Sequence, residues 1–420
     1  MREEFRCGGG FRRIWLLRIS ALLLIGLLGW IAVFGWEPVK LAQIGFSRAK
    51  DKTEELIRGP ILERNHEEVI AANTEQTLEI EGYLEGLEDP AKRTPEALGL
   101  NFASEADYLR SCQRIRSLLA SSLGYPPPEA APITEAASMV PLSEDELATY
   151  YDLTVPVFGG MHARGVFMMP RARSAKSPLI IAVHGRGGMP DRPKNGKITV
   201  IARHDRDLAL GALRRGYAVW QPLLLFYASD RPADIRLRID VRARECGTTL
   251  PAIEIAKISR GLDALLQSGE IDPSRVAMVG MSYGGFYTLY TAALDERIRV
   301  AVVAAYFNDR KAVLALGEPS DLSDWRFHNS LSVFQDPTMA ALICPRPLQI
   351  QAGDHDQLFS IAGTRRTVPA ARALYERLNV GQRFSFVEFV GRHDFNGEVA
   401  WSFIDQFFRK ESEQPVPSSH

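Results

Sequence analysis

Residues 276–286 read Val-Ala-Met-Val-Gly-Met-Ser-Tyr-Gly-Gly-Phe, and this stretch decides the fold. Its apolar start is typical of a buried strand, and the residues that follow it are compatible with a helix. A strand that turns sharply into a helix needs small residues beside the turning point, and Gly280 and Gly284 meet that need. We therefore interpret Ser282, at the apex, as a nucleophile. Because Gly-x-Ser-x-Gly also arises by chance, the rest of the chain has to supply the context.

The composition is that of an ordinary globular protein with room for one large domain and an appendage. Of 420 residues, 46% are hydrophobic and 24% are charged, and the net charge is −1. This balance gives no electrostatic support for a nucleic-acid partner. The four cysteines form no Cys-x-x-Cys pair or Cys/His cluster, which argues against zinc, and we expect no metal or other cofactor. One disulfide among the last three cysteines is left open.

The N-terminal region is interpreted as a membrane anchor. Arg12 and Arg13 precede an apolar stretch in which residues 19–36 carry no charge. As a helix those residues would be about 27 Å long, close to the hydrocarbon thickness of a bilayer. We predict a cytoplasmic tail over 1–13 and a transmembrane signal-anchor over 14–36, with the catalytic domain on the periplasmic or extracellular side. The alternative is a cleaved signal peptide, although no convincing Ala-x-Ala site follows.

Residues 37–145 are predicted to form a helical region that follows the anchor. Within it, 54–72 and 105–123 place apolar side chains at three- and four-residue spacing among charged ones. Prolines separate these two segments, because proline lacks the N–H that a helix interior needs. The region is interpreted as a stalk, a cap over the catalytic domain or a partner-binding module. At the other end of the chain, 411–420 is predicted to be a disordered tail.

Short strands and helices alternate over 146–410, which we predict to be the catalytic domain. Strands at 151–157 and 162–169 are joined by Phe158-Gly159-Gly160-Met161, a hairpin signature. The continuously apolar run 178–183 is typical of a buried central strand. This alternation implies a mostly parallel sheet with helices on both faces. Further strands are predicted at 217–221, 276–280, 300–305, 347–352 and 384–390, and helices at 205–215, 250–267, 286–294, 368–378 and 398–408.

Polar residues follow three of the predicted strands, at the sheet edge where a parallel sheet places its ligand site. Ser282 follows one strand, Asp354 and Asp356 follow the second strand after it, and His393 follows the next. The histidine would accept the serine proton and return it to the leaving group, while a carboxylate holds the imidazole tautomer. We assign Asp356 as this acid, since it lies far enough past the strand to reach the histidine loop. Asp354 is the alternative.

The loop after the strand 178–183 reads His184-Gly185-Arg186-Gly187-Gly188. Its glycines allow backbone N–H groups to approach a substrate carbonyl closely. We predict that the N–H groups of Arg186 and Tyr283 form the oxyanion hole. His184 itself is interpreted as a structural hydrogen-bonding residue.

Together these residues resemble the α/β-hydrolase superfamily, in particular its branch of dienelactone hydrolases, acetyl xylan esterases and prolyl oligopeptidase-like enzymes. The resemblance covers roughly residues 150–408 and implies an α/β-hydrolase fold. It also implies that Ser282 is the nucleophile, Asp356 the acid and His393 the base. The motifs that carry it are the glycine loop at His184, Gly280-Met281-Ser282-Tyr283-Gly284-Gly285, Pro345-Arg346-Pro347-Leu348, Gly353-Asp354-His355-Asp356 and Gly391-Arg392-His393-Asp394-Phe395.

The resulting prediction is a serine carboxylesterase that acts through an acyl-enzyme, with a carbohydrate acetyl ester as one candidate substrate. A dienelactone-type enzyme would carry cysteine as the nucleophile. One alternative is a prolyl oligopeptidase-like peptidase, whose usual propeller repeats this sequence does not show. The other is a catalytically silent hydrolase fold that binds a partner. The size of the substrate and the oligomeric state are left open.

Two long excursions lie beside the predicted site. The first, 223–247, is rich in arginine and is interpreted either as a lid that contacts an acidic substrate or as a solvated excursion. The second, 308–336, carries Trp325 and His328 and is a candidate lining of the substrate pocket.

Overall fold

A computed structural model of the protein describes residues 66–129, 131–173, 176–185, 193–194, 197–198, 208–225, 235–316 and 323–412. The chain divides into two compact units, residues 1–83 and 84–420. Residues 66–83 of helix α1 (His66–Leu87) are the described part of the first unit, and the side chains of this helix from Glu67 onward are exposed.

The second unit is built on one large sheet. Its strands are β1 (Ser138–Glu144), β2 (Ala148–Phe158), β3 (Met161–Pro170), β4 (Ser177–Val183), β7 (Ala218–Pro222), β8 (Ile271–Met281), β9 (Val300–Ala304), β10 (Leu348–Gly353) and β11 (Phe384–Phe389), while β5 (Pro193–Lys194) and β6 (Lys197–Ile198) form a separate short pair. The order across the sheet is β1-β2-β3-β7-β4-β8-β9-β10-β11. The β1–β2, β2–β3 and β3–β7 pairs are antiparallel, and all later pairs are parallel.

Helices follow most of these strands, as the alternating pattern predicts. They are α2 (Glu105–Leu123), α3 (Leu208–Leu213), α4 (Ile235–Glu245), α5 (Leu250–Gln267), α6 (Tyr283–Leu294), α7 (Arg310–Leu316), α8 (Asp336–Ile343), α9 (Ile361–Arg377) and α10 (Gly397–Ser412), with short 3-10 turns at Pro90–Arg93, Ser323–Trp325 and Gly381–Arg383. The predicted hairpin also forms, with Phe158 paired to Met161.

The centre of the sheet is buried on both faces, which explains its continuously apolar central strand. In β4, Leu179, Ile181 and Val183 belong to one hydrophobic cluster, whereas Ile180 and Ala182 belong to the other. Side chains alternate between the two faces of a strand, so a strand covered on both sides has to be apolar throughout. The first cluster includes residues of α2, α5 and α6, and the second includes residues of α3 and α10.

Helix α2 is part of this core. Tyr108, Ile115 and Leu119 share one helical face, and all three are fully or almost fully buried. The Tyr108 hydroxyl donates to the Ala341 carbonyl oxygen of α8 at 2.9 Å. The later part of the predicted helical region is therefore packed against α8 of the second unit.

Residues 138–144 also differ from the helical assignment of their region, because they form the edge strand β1. This strand pairs antiparallel with β2, and almost all its side chains are exposed. A strand without a buried face has no alternating apolar pattern, which is the signal used to recognise strands in a sequence. The domain boundary at 146 stays a prediction.

The transmembrane part of the predicted fold class is corrected. Among the described residues, no helix is long and apolar enough to cross a membrane. Even the longest of them, α1 with 22 residues, interleaves its apolar side chains with glutamates. The predicted tail 1–13 and span 14–36 lie outside the described residues. The fold class is thus a mostly parallel α/β sheet with flanking helices, and the predicted membrane partner is unsupported.

The three cysteines within the described ranges, Cys112, Cys246 and Cys344, are free thiols. Cys112 and Cys344 are buried, whereas Cys246 is exposed. Burial raises the pKa of Cys112 to about 11, which keeps this thiol in its unreactive protonated form.

Candidate active site

The chain turns sharply between β8 and α6, and Ser282 occupies the turning point. Its backbone has φ 58° and ψ −115°, a region that is unfavourable for residues other than glycine. The Ser282 N–H donates to the Ala304 carbonyl oxygen of β9 at 2.9 Å. The neighbouring strand thus holds a strained residue in place, and strain of this kind is concentrated at functional sites.

The Ser282 hydroxyl is not used by the helix that it precedes. Ser282 is the N-cap residue of α6, and a serine there usually accepts a hydrogen bond from an N–H of the first helical turn. Here the side chain makes no capping bond, although the residue is only 8% exposed. A serine that is buried as a residue and leaves the helix start uncapped is consistent with the predicted nucleophile.

The two elbow glycines are required by close backbone contacts. A Cβ added to Gly280 would lie 2.5 Å from Thr288 Oγ1 and closer still to the Gly284 carbonyl oxygen. A Cβ added to Gly284 would lie 2.7 Å from the His184 carbonyl oxygen and closer still to that of Val183. Three of these four atoms belong to the backbone and cannot move aside. Gly280 therefore allows α6 to pack against β8, and Gly284 allows α6 to reach the end of β4.

We expect Gly284→Ala to destabilise the protein by about 3 kcal/mol, because the added methyl group overpacks a contact between helix and strand. The free energy of unfolding in urea measures this change. Gly381→Ala is the matched control, since a Cβ there would meet only Glu376 Cγ at 3.7 Å. The control should lie within about 0.5 kcal/mol of the wild type. Equal stability of the two variants would contradict this account of the elbow.

The structure brings Asp356 and His393 together. Asp356 Oδ2 lies 2.8 Å from His393 Nδ1. The other carboxylate oxygen, Oδ1, accepts the N–H groups of Leu358 at 2.8 Å and Phe359 at 3.0 Å. The Asp356 side chain is 1% exposed and that of His393 is 21% exposed. The loop after β10 therefore holds one carboxylate oxygen and leaves the other against the imidazole.

Phe359 is a further part of this site that the sequence analysis missed. Its ring stacks on the His393 imidazole, with 5.6 Å between centroids and 15° between planes. The ring also packs against Tyr306 and Trp325. The imidazole is thus fixed by a hydrogen bond at its edge and by an aromatic ring at its face. An apolar residue in a loop carries no sequence pattern that announces such a contact.

Asp354, the alternative acid, has a different set of contacts. Its Oδ1 accepts the Gly391 N–H at 3.0 Å and lies 2.6 Å from His355 Nδ1. The Gly391 N–H and the His355 ring lower the pKa of Asp354. The backbone N–H groups of Asp354 and His355 donate to the Phe389 and Gly391 carbonyl oxygens. Asp354 therefore joins the loop after β10 to the histidine loop, whereas Asp356 contacts the histidine itself.

The predicted partners of Ser282 are His393 and the two oxyanion donors, and the described residues include only His393 and Tyr283. Among the described residues, no hydrogen bond joins Ser282 Oγ to His393, although both lie at carboxyl ends of strands in the parallel part of the sheet. Tyr283, predicted to donate one oxyanion N–H, is the first residue of α6. Arg186, predicted to donate the other, lies outside the described residues. The roles of these residues stay predictions.

His184 is a buried structural residue, in agreement with its interpretation from the sequence. Its Nδ1 lies 2.9 Å from the Gly185 carbonyl oxygen, and its Nε2 accepts the Leu224 N–H at 3.3 Å. Burial lowers the pKa of His184. A neutral imidazole with a proton on Nδ1 satisfies both contacts, so His184 joins the ends of β4 and β7.

Described residues from both excursions pack near the site. Helix α4 supplies Arg236, which is buried and ion-paired with Asp324 of the second excursion. Trp325 is also buried and stacks on Phe286 of α6 at 5.6 Å, so it belongs to the core. His328 is exposed. Buried charges were not foreseen, because a run of arginines usually indicates a solvated face.

Within the described ranges, no group of three or more His, Cys, Asp or Glu side chains is placed to hold a metal ion. The prediction that the protein needs no cofactor stays a prediction.

The strand order, the helices on both sheet faces and the strained serine between β8 and α6 define the α/β-hydrolase fold. No family model matches the chain. The chain is 24% identical to "Putative hydrolase YtaP" of Bacillus subtilis (strain 168) over 253 residues, which are 59% of this chain and 83% of that protein.

Two solved structures of similar fold have titles that name an esterase. Methylesterase BT1017 aligns with a TM-score of 0.57 at 17% identity over 73% of this chain, which spans 66% of that protein. A structure titled "putative acetyl xylan esterase" from Bacteroides fragilis aligns with a TM-score of 0.55 at 14% identity, over 76% of this chain and 80% of that protein. These similarities confirm the predicted resemblance to the α/β-hydrolase superfamily, and the comparisons support a hydrolase.

Proposed function

We propose that this protein is a serine esterase that cleaves a carboxylic ester through an acyl-enzyme intermediate. The observation that carries the proposal is the Asp356–His393 pair at 2.8 Å. It lies on the same sheet edge as Ser282, a strained serine whose hydroxyl makes no capping bond. Nucleophile, base and acid follow β8, β11 and β10, in the chain order Ser, Asp, His that this fold uses.

Asp356 sets the tautomer of His393. One oxygen of the Asp356 carboxylate accepts two backbone N–H groups, and the other lies against His393 Nδ1. His393 then carries its proton on Nδ1, facing Asp356, and presents a basic Nε2. The stacked Phe359 ring keeps the imidazole plane fixed. This is the arrangement that a general base next to a serine requires.

The reaction then runs in two halves. Ser282 Oγ attacks the ester carbonyl carbon while His393 Nε2 takes the hydroxyl proton, and the proton is passed to the departing alcohol as the C–O bond breaks. Water attacks the acyl-enzyme by the same route and releases the acid. The N–H of Tyr283 at the start of α6, together with that of Arg186, would stabilise the oxyanion in both halves.

A carbohydrate ester is the substrate class that the comparisons favour. The two titles name different esters. A methylesterase releases a small alcohol, methanol, whereas an acetyl xylan esterase releases a small acid, acetate. A screen of acetylated xylan against methyl-esterified uronate polymers separates the two. Release of acetate supports the acetyl-ester form of the proposal, and release of methanol supports the methyl-ester form.

Covalent labelling by a fluorophosphonate tests the serine mechanism directly. We expect one equivalent of probe on Ser282, located by mass spectrometry of the peptide that contains it, and loss of p-nitrophenyl acetate hydrolysis in step with labelling. A strained, activated serine reacts with such a probe, while ordinary serines do not. Absence of labelling in a folded, active protein would exclude Ser282 as nucleophile. Efficient cleavage of aminoacyl amides with no ester turnover would favour a peptidase instead.

A further inference from the structure

Arg236 of the first excursion and Asp324 of the second meet beside Tyr283, the residue that follows the proposed nucleophile. Arg236, from the first helical turn of α4, places its guanidinium carbon 4.3 Å from the centre of the Tyr283 ring. The same guanidinium is ion-paired with Asp324 of the 3-10 turn Ser323–Trp325. Each of the two excursions therefore contributes one charged group to a contact that ends on Tyr283.

This contact is closed to solvent. The Arg236 side chain is 10% exposed, that of Asp324 is fully buried, and Tyr283 is 1% exposed. The Tyr283 and Tyr287 rings meet edge to face at 4.9 Å. Their hydroxyls lie 3.3 Å apart, and that of Tyr287 donates to Asp324 at 3.4 Å. The tyrosine ring is thus enclosed by a cation, a second ring and a carboxylate.

Stability alone does not explain a charged pair at this place. Two ions removed from water lose hydration that their attraction only partly restores, and apolar residues of similar volume commonly serve the fold as well. The guanidinium also does something that an apolar side chain would not, because it attracts the face of the ring electrostatically and sets its position. Burial by itself would lower the pKa of Arg236, but Tyr283 and Asp324 raise it, so the cation is retained.

We propose that Arg236 and Asp324 are positioning residues for the reaction, holding the Tyr283 backbone N–H in register with the oxyanion. Neither side chain touches the reacting atoms. Only the χ1 and χ2 torsions separate the ring of Tyr283 from the Cα next to the first N–H of α6, so a ring held in one place restricts where that donor can lie. This inference rests on the proposed esterase function, in which that N–H stabilises the oxyanion. It assigns the arginine of the first excursion a role inside the site, rather than in contact with an acidic substrate.

Arg236→Ala tests the proposal. We expect kcat for p-nitrophenyl acetate to fall about tenfold or more with KM within about threefold, because a misplaced oxyanion donor affects the transition state but not the bound ester. Guanidinium ion at tens of millimolar should raise kcat of the Arg236→Ala variant about fivefold, because it fills the vacated site. Arg242→Ala, an exposed arginine of the same helix, is the matched control and should show neither loss nor rescue.

Hydrogen–deuterium exchange of the peptide covering 280–287 gives a readout that does not need turnover. Its amides should exchange faster in Arg236→Ala than in the wild type. In Arg242→Ala their exchange rates should equal those of the wild type. If the alanine variant does not fold, the double variant Arg236→Met/Asp324→Asn, which removes both charges, replaces it in the same assays and is expected to show the same loss of kcat.

Three results would overturn the proposal: kcat within twofold of the wild type in a folded variant, a rise in KM that accounts for the whole loss, or unchanged exchange over 280–287. If the wild type itself cleaves no ester, the proposed function fails, and the exchange rates alone decide whether Arg236 positions this segment. The two failures are therefore distinguishable.

Discussion

Ser282→Ala should lower kcat for p-nitrophenyl acetate by roughly five orders of magnitude, because the acyl-enzyme route needs a nucleophile that alanine lacks. The residual rate would come from the oxyanion donors and from substrate binding. KM should change little, since the hydroxyl makes its main contribution in the transition state. The measurement is initial-rate kinetics on enzyme that has been checked for contaminating esterase by active-site titration.

The variant should remain folded. Ser282 makes no capping bond to α6, and its backbone N–H to Ala304 survives the substitution. The unfolding free energy should therefore stay within about 1 kcal/mol of the wild type. Ser274→Ala is the matched control, since Ser274 lies on the same strand, β8, and is exposed. Retention of more than a few per cent of kcat in Ser282→Ala would show that another group is the nucleophile.

Asp356→Asn is expected to lower kcat by about three to four orders of magnitude. An asparagine amide that donates to His393 Nδ1 moves the imidazole proton to Nε2, where it can no longer accept the serine proton. The two backbone N–H groups at Oδ1 still find an amide oxygen there, so the loop should keep its shape. The substitution thus changes the tautomer of the base with little change to its surroundings.

Asp354→Asn is the control that separates the two aspartates. Asp354 Oδ1 accepts the Gly391 N–H, and the asparagine oxygen accepts the same bond. We expect kcat within about threefold of the wild type, since the side-chain hydrogen bonds of this residue join two loops through His355 and Gly391. Loss of activity in Asp354→Asn with normal activity in Asp356→Asn would reverse the assignment of the acid.

Element types were predictable where local signals and burial agree. Helices were predicted at 105–123 and 250–267, and α2 and α5 have those bounds. Both begin after a residue whose hydroxyl accepts an N–H of the first turn, Ser104 and Thr249. Caps and amphipathic spacing are properties of neighbouring residues, so they can be read from the chain without the fold.

Elements at the surface were harder to predict. The edge strand β1 has no buried face and hence no periodic pattern. Helix α4 begins among arginines, so its sequence pattern resembles that of a solvated segment. Only the fold shows that Arg236 pairs with Asp324, about ninety residues further along the chain. The transmembrane helix was predicted from hydropathy alone, and no described helix supports it.

The sequence by itself determined the strand-turn-helix around Ser282, because that motif rests on residues close together. It also determined the order of Ser, Asp and His, because order is a property of the chain and not of its folding. Only the tertiary structure decided which aspartate meets the histidine. Asp354 and Asp356 both follow β10, and the parallel pairing of β10 with β11 sets which of them faces the loop that carries His393. The stacked Phe359 and the Arg236–Asp324 contact on Tyr283 have the same origin. Contacts between distant segments are set by how the sheet and its helices pack, and no local pattern encodes them.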